Sequence, residues 1–320
     1  MNKVLITGAT GFVGSALMAE LKKSSNVKVI SAVRRVSTSV DGGTILVGDI
    51  DGSTDYSTAI DGVDVVIHCA ARAHIMGDES TEPLAEYRKV NLEGALNLAK
   101  QAIKAGVKRF VFISSVKVNG ESTSSDKSFT ADDVHKPQDA YGISKSEAET
   151  QLLTLAQQTD MEIVIIRPPL VYGPGVKANF ASLLNLASKG LPLPFGCITA
   201  NKRSLVSVKN LVDLIVTCVD HPKALNQVFL VSDDDDVSTA SMVKHMSQAL
   251  GKSSRLLPVP LWCYRVAGKL TGKTDVVDRL LGSLQVDITH TKNTLGWAPP
   301  QTLEQGFKET AEAFLLNKNK

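Results

Sequence analysis

The chain is 320 residues long, 43% hydrophobic and 21% charged, which excludes a disordered polypeptide and allows one large α/β domain or two unequal lobes. A formal net charge of +2 excludes recognition of nucleic acid, or of a strongly anionic membrane, by overall charge, so any bound anion must be held by local groups. The four cysteines, Cys69, Cys197, Cys218 and Cys263, stand far apart without a CxxC or a histidine cluster, which argues against a disulfide framework or a metal site.

In chain order, the apolar run within Met1 to Gly8 is too short for a signal-peptide core. No stretch of about 18 uninterrupted apolar residues follows, so the expectation is a cytoplasmic protein without stable membrane insertion. Residues 3–7, 27–33, 45–47, 63–69, 109–114 and 162–167 read as strands, several of them apolar at nearly every position, as parallel strands covered on both faces must be. Residues 13–23, 83–105 and 141–158 carry helical spacing between them. The alternation predicts an α/β fold with a Rossmann-type doubly wound parallel sheet.

Beyond Arg167 the prolines and glycines of Pro168-Pro169, Gly173-Pro174-Gly175 and Leu191-Pro192-Leu193-Pro194 break the periodicity. The expected organisation is a dinucleotide-binding domain over 1–172, with 205–232 returning to it, and a smaller, partly discontinuous substrate-binding lobe from 173–204 and 233–320. The acidic run 233–236 reads as a solvated loop or a helix start. Residues 256–270, with Trp262 and Tyr264 beside Arg265 and Lys269, have the makeup of a helix that caps a core or cleft, or else lies on a membrane surface.

The segment Val4-Leu5-Ile6-Thr7-Gly8-Ala9-Thr10-Gly11-Phe12-Val13-Gly14 reads as strand, glycine turn and helix start. Gly8 permits the sharp turn, Gly11 removes a Cβ that would block a diphosphate, and Gly14 lets the helix approach the strand. The amides of Phe12, Val13 and Gly14 then face the phosphates. The second strand ends on Arg34 and Arg35, where an NAD-specific site carries an acid for the ribose 2′-hydroxyl; an arginine fork suits a 2′-phosphate. NADP(H) is therefore favoured over NAD(H), against the plain alternative of a solvated pair after a strand. Asp49 and Ile50, after the third strand, are placed near the adenine.

Tyr141-Gly142-Ile143-Ser144-Lys145 sets a phenol and an ammonium one helical turn apart. The ammonium, together with a positive nicotinamide when oxidised, is expected to favour phenolate and bring an acid–base with an ordinary pKa near 10 into a useful range. Ser114-Ser115 places a hydroxyl at the carboxyl end of a strand, where such sheets bind ligands. With the motifs TGATGFVG, GDI, HCAAR, VNLEG, FISSVKVNG, YGISK, RPPLVYGPG and LGW, the chain resembles the extended short-chain dehydrogenase/reductases, in particular nucleotide-sugar epimerases and reductases. The resemblance implies a catalytic triad of Ser115, Tyr141 and Lys145. It places Ala70, Ala71 and Asn91 around the coenzyme, Asn91 also supporting the active-site helix, and Ser115, Lys117, Asn179 and Arg203 around the sugar nucleotide. It implies no metal. A homodimer through 84–105 and 142–158 is expected, although core packing explains the same apolar stripes.

Three chemistries of that family compete. The 4,6-dehydratases carry an acid just after the Ser/Thr, and Val116 and Lys117 stand there instead. A 4-epimerase keeps NAD and shows an acid after the second strand and an asparagine where Leu170 stands. The departures favour an NADPH-dependent 4-reductase acting on a UDP-2-acetamido-2,6-dideoxy-4-keto-hexose, a substrate implied by the resemblance alone. The alternative is a UDP-hexose 4-epimerase with tightly bound NAD; a non-enzymatic cofactor sensor is more remote, because Ser115, Tyr141 and Lys145 are all present.

Overall fold

In the computed structural model, which describes residues 2–35, 43–73, 82–124 and 127–318, alternate residues of strand β1 (Asn2–Thr7) feed two different cores. Val4 and Ile6 pack on one face with Leu17, Ile67, Val111 and Leu211. Leu5 packs on the other with Val66, Leu98, Phe110 and Leu152. A strand's two-residue period sends a continuous apolar run into separate layers, and both layers then need a cover.

The remaining strands are β2 (Val27–Val33), β3 (Thr44–Leu46), β4 (Val65–His68), β5 (Arg109–Ile113), β6 (Glu162–Arg167), β7 (Leu170–Tyr172), β8 (Leu205–Ser207) and β9 (Gln227–Leu230). Seven of them form a parallel sheet in the order β3-β2-β1-β4-β5-β6-β9, and β7 and β8 pair separately. Helices α1 (Phe12–Leu21), α2 (Ser57–Ile60), α3 (Pro83–Arg88), α4 (Ala95–Lys104), α5 (Ala140–Gln158), α6 (Ala178–Ser188) and α7 (Val208–Asp220) follow the strands. Of these α1 and α7 cover one face of the large sheet, and α2, α4 and α5 cover the other. The doubly wound parallel sheet read from the sequence is present, and its strand order reverses between β1 and β4, where α/β sheets open their ligand crevice.

The expected helix over 83–105 carries a π-helical stretch, Lys89–Gly94, between α3 and α4. Gly94 lies at its end, where an added Cβ would come within 2.8 Å of Ile50 Cγ2. The bulge and this close approach occur together.

The last part of the chain, which showed no clear period, is largely helical: α8 (Thr239–Ala249), α9 (Leu261–Thr271), α10 (Thr274–Leu281), α11 (Thr289–Leu295) and α12 (Leu303–Lys318). A separate cluster joins α6, α8 and α12, with Tyr172 stacked on Phe180 at 5.2 Å and tilted on Phe307 at 4.9 Å. The acidic run 233–236 lies in the loop that leads into α8, and Asp234, Asp235 and Asp236 are exposed as a solvated loop implies; the departure is Asp233. Asp233 is buried, its carboxylate accepting from the Ser207 amide at 2.8 Å, Asn210 Nδ2 at 2.7 Å and the Tyr172 hydroxyl at 2.6 Å. Asp236 accepts from Ser204 Oγ and Gln285 Nε2, and Asp234 pairs with Lys292. Side-chain donors, absent from any local pattern, turned the run into a structural joint between β7, β8 and α7.

Candidate active site

The turn after β1 is set by its contacts. Gly8 adopts φ +71°, and a Cβ there would lie 2.6 Å from the Ala70 amide nitrogen just beyond β4. A Cβ on Gly14 would sit 2.1 Å from the Gly8 carbonyl oxygen, so α1 rests directly on the turn. Gly11 is different: its nearest obstacle is that same oxygen at 3.2 Å. It begins α1 without a side-chain cap, leaving the amides of Phe12, Val13 and Gly14 without acceptors inside the helix. This is a cradle for a diphosphate, and the residues fit the expected dinucleotide.

Arg34, just past β2, is exposed and lies 3.9 Å from the Asp49 carboxylate, with the two side chains 69% and 87% exposed. So exposed a pair holds neither side chain firmly. Arg35 is exposed, Ile50 is buried against Gly94, Ala70 is buried and Ala71 is exposed.

Ser115 caps the short 3-10 turn Val116–Val118 that leaves β5, its hydroxyl accepting from the Lys117 amide at 3.3 Å. Tyr141 lies in the first turn of α5, which Asp139 caps by accepting from the Gly142 amide at 2.7 Å. The Ser115 hydroxyl faces the Tyr141 phenol, and Tyr87 meets the phenol ring edge-on at 6.1 Å. Lys145, one turn on, is 1% exposed; its Nζ donates to the Ile113 carbonyl at 2.8 Å and lies 4.3 Å from the centre of the Phe112 ring. The three expected catalytic groups are therefore brought together.

Burial governs the protonation of both titratable groups. Burial pushes the Tyr141 phenol up to about 12, with the Asp139 carboxylate adding to the rise, so the phenol holds its proton at neutral pH. Burial lowers Lys145 to about 8, opposed by Glu149. The ammonium is engaged by a carbonyl rather than by the phenol, and desolvation outweighs the benefit expected from its proximity.

A buried network supports α5, and sequence reasoning missed most of it. Glu149, two turns beyond Tyr141, accepts from Arg167 Nε at 3.0 Å and Nη2 at 2.6 Å and from the Ser114 hydroxyl. Arg167 Nη1 also donates to Asn119 Oδ1 at 3.1 Å, and Nη2 to His135 Nε2 at 2.6 Å. Because a guanidinium can only donate, His135 is neutral with its proton on Nδ1, which donates to Ser146 Oγ at 2.8 Å. Burial and the neighbouring Arg167 hold the pKa of that imidazole down. Two signals were available: Glu149 continues the Tyr141–Lys145 stripe at four-residue spacing, and Arg167 ends a strand that is otherwise apolar.

Asn91, inside the π-helical stretch, is fully buried. It donates to Ser144 Oγ at 3.0 Å and brackets the backbone of Arg72 with bonds of 2.9 and 3.1 Å. Ser144 passes the tether on to the Tyr141 carbonyl at 2.8 Å. Asn91 thereby positions the first turn of α5.

Of the residues expected to meet a sugar nucleotide, Lys117 is half-buried between Glu121 at 2.9 Å and Asp139, so it braces the α5 cap. Arg203 donates from Nη1 to the Arg279 carbonyl at 2.5 Å and the Gly282 carbonyl at 3.3 Å, and burial followed by the nearby Arg279 lowers its pKa. Asn179 lies in α6, but its side chain falls outside the described ones. Leu170 is 41% exposed. A groove of about 460 Å³ opens at Glu121, the partner of Lys117, with Asn119, Thr123, Phe129 and Lys136 also in its walls. Among the described residues no cluster of His, Cys, Asp and Glu could hold a metal ion, and no helix is long and apolar enough to cross a membrane.

Residues 4–232 match the NAD dependent epimerase/dehydratase family. A protein of Vibrio cholerae named UDP-glucose 4-epimerase is 62% identical over 319 residues, covering 100% of this chain and 97% of that one. The N-acetyl-alpha-D-glucosaminyl-diphospho-ditrans,octacis-undecaprenol 4-epimerase of Escherichia coli O157:H7 is 28% identical over 97% of this chain and 95% of its own. Among solved structures, the UDP-glucose 4-epimerase of Thermotoga maritima with UDP-glucose superposes with a TM-score of 0.77 at 23% identity, covering 99% of each chain, a likeness of fold.

Proposed function

This chain belongs to the NAD dependent epimerase/dehydratase family, and on that premise we propose that it is a 4-epimerase of UDP-hexoses that works with bound NAD. The observation that carries the reading is the 62% identity, end to end, with the Vibrio cholerae protein, joined to the meeting of Ser115, Tyr141 and Lys145 in the crevice of the sheet. It displaces the 4-reductase that the sequence alone favoured. NAD, when bound, supplies the hydride acceptor and donor.

The chain's own groups handle the proton. Tyr141 takes it from the sugar C4 hydroxyl and returns it after the keto sugar has turned, while Ser115 hydrogen-bonds the same oxygen. A phenol pushed up to about 12 must be helped to ionise, and the positive charge of an oxidised nicotinamide beside it is the available source. Lys145 would hold the coenzyme ribose. The lobe from 173–204 and 233–320 would hold the sugar nucleotide, with Arg203 toward its diphosphate, in a cytoplasmic homodimer.

A second reading, the NADPH-dependent 4-reductase, is supported by two departures: Arg34, exposed beyond β2, stands where an NAD site carries an acid, and Leu170 stands where a 4-epimerase shows an asparagine. Purified protein decides. The epimerase interconverts UDP-glucose and UDP-galactose with nothing added and releases NAD on denaturation. Inertness toward UDP-hexoses, with NADPH consumed only when a UDP-4-keto sugar is supplied, would reject the epimerase and select the reductase.

A further inference from the structure

Helices α9 and α10 form a hairpin with a closed inner side and an open outer one. Gly268 is buried where a Cβ would lie 2.8 Å from Val277 Cγ2, so the two helices meet at close approach. Tyr264, Leu280 and Leu281 anchor the hairpin on a cluster of Leu193, Phe195 and Ile198. On the outer side Trp262, Val266 and Leu270 follow at four-residue intervals, 66%, 47% and 82% exposed. Scattered exposed hydrophobics need no explanation, but a row of them led by an indole does.

Charge accompanies the row. Arg265 and Lys269 lie between its members, Arg255 precedes it and Lys273 follows it, all four exposed. No acidic residue occurs from 255 to 274, and among the described residues none of the four cations pairs with a carboxylate. The near-neutral total conceals this local concentration. We propose that the outer face of α9 and the α9–α10 turn is a peripheral docking surface for an anionic lipid bilayer. Trp262, Val266 and Leu270 enter the headgroup boundary, and Arg255, Arg265, Lys269 and Lys273 meet lipid phosphates. A second copy of the chain is a poorer occupant, because a twofold contact here sets the same cations against one another.

The position gives the docking a consequence. α10 ends at the Arg279 and Gly282 carbonyls that hold Arg203, and the next residue, Ser283, accepts from the Thr123 amide in the groove wall. The hairpin that carries the docking face is thus tied through the end of α10 to the groove wall. This proposal does not depend on the reaction catalysed.

The full chain reports the contact itself. It has two tryptophans, and Trp297 is buried with its Nε1 donating to Asp213 at 2.7 Å, so a lipid-induced change in emission belongs to Trp262. With vesicles of phosphatidylcholine containing about one third phosphatidylglycerol, the emission shifts to the blue and the protein co-sediments. Arg265→Gln with Lys269→Gln lowers partitioning roughly thirtyfold, from about fivefold per charge, and Trp262→Ser with Leu270→Ser abolishes it. All four positions are exposed, so far-ultraviolet dichroism and Tm stay unchanged. Absence of binding by the folded protein, equal binding to pure phosphatidylcholine, binding unaffected by the substitutions, or a lipid-free dimer that already shields Trp262 would each overturn the proposal.

Discussion

Replacing Lys145 with methionine is expected to make the coenzyme-stripped protein more stable and abolish turnover, and the size of the gain follows from the burial of the ammonium. Its pKa falls from 10.5 to about 8, which corresponds to about 3 kcal/mol held against folding while both states carry the proton. Methionine is unbranched and keeps the contact with the Phe112 ring, but it leaves the Ile113 carbonyl without its donor, a loss of about 1–2 kcal/mol. The net expectation near pH 7 is about 1–2 kcal/mol in favour of Lys145→Met. The pH dependence tests the argument more sharply. Below 8 the penalty is fully present; as pH rises through 8 the native state releases its proton while the unfolded chain keeps its own up to 10.5. The unfolded state then binds more protons, so wild-type stability rises with pH. Between about pH 7 and about pH 9.5 the wild type should gain about 2 kcal/mol relative to the variant, read by urea unfolding followed by circular dichroism. Parallel pH profiles for the two proteins would refute the claim that a buried charge is being held there.

Tyr141→Phe should lower kcat by roughly 10²–10⁴-fold with unchanged thermal stability, measured as UDP-hexose interconversion by the purified variant. Glu149→Gln leaves the Arg167 guanidinium buried without its counter-charge and should cost about 3–5 kcal/mol in urea unfolding, most of it recovered by Glu149→Leu combined with Arg167→Met. Gly14→Ala places a Cβ 2.1 Å from a carbonyl oxygen and should prevent folding of the native turn. Gly11→Ala, with 3.2 Å to the same atom, should stay folded and lose coenzyme, as read by Tm and by NAD released on denaturation.

The sheet was legible because its strands are covered on both faces and so read as unbroken apolar runs; the predicted 27–33 and 162–167 match β2 and β6 residue for residue. Beyond residue 173 the helix read within 256–270 is present as α9, but α6, α8 and α12 were not legible, since their hydrophobic faces pack on one another around Tyr172 and Phe307 and no single period survives. The glycine turn and the Tyr–Lys spacing are local patterns and could be read directly. The Glu149–Arg167–His135 network could not, because it joins α5, β6 and a loop whose meeting depends on the whole fold. The desolvation of Tyr141 and Lys145 was not legible for a related reason. Proximity follows from spacing, whereas desolvation depends on what the rest of the chain places around the pair.

The π-helical stretch Lys89–Gly94 makes the site sensitive to length as well as to identity. Upstream of it Tyr87 meets Tyr141 edge-on, and downstream Ala95, Leu98 and Ala99 pack onto the sheet; an uninterrupted helix could not present both sides in those directions. Excising a single residue here turns one flank by about 100° against the other and withdraws the Asn91 carboxamide from Ser144. A homologue that retained every catalytic side chain but lacked that one surplus residue would lose the tether that aims its phenol.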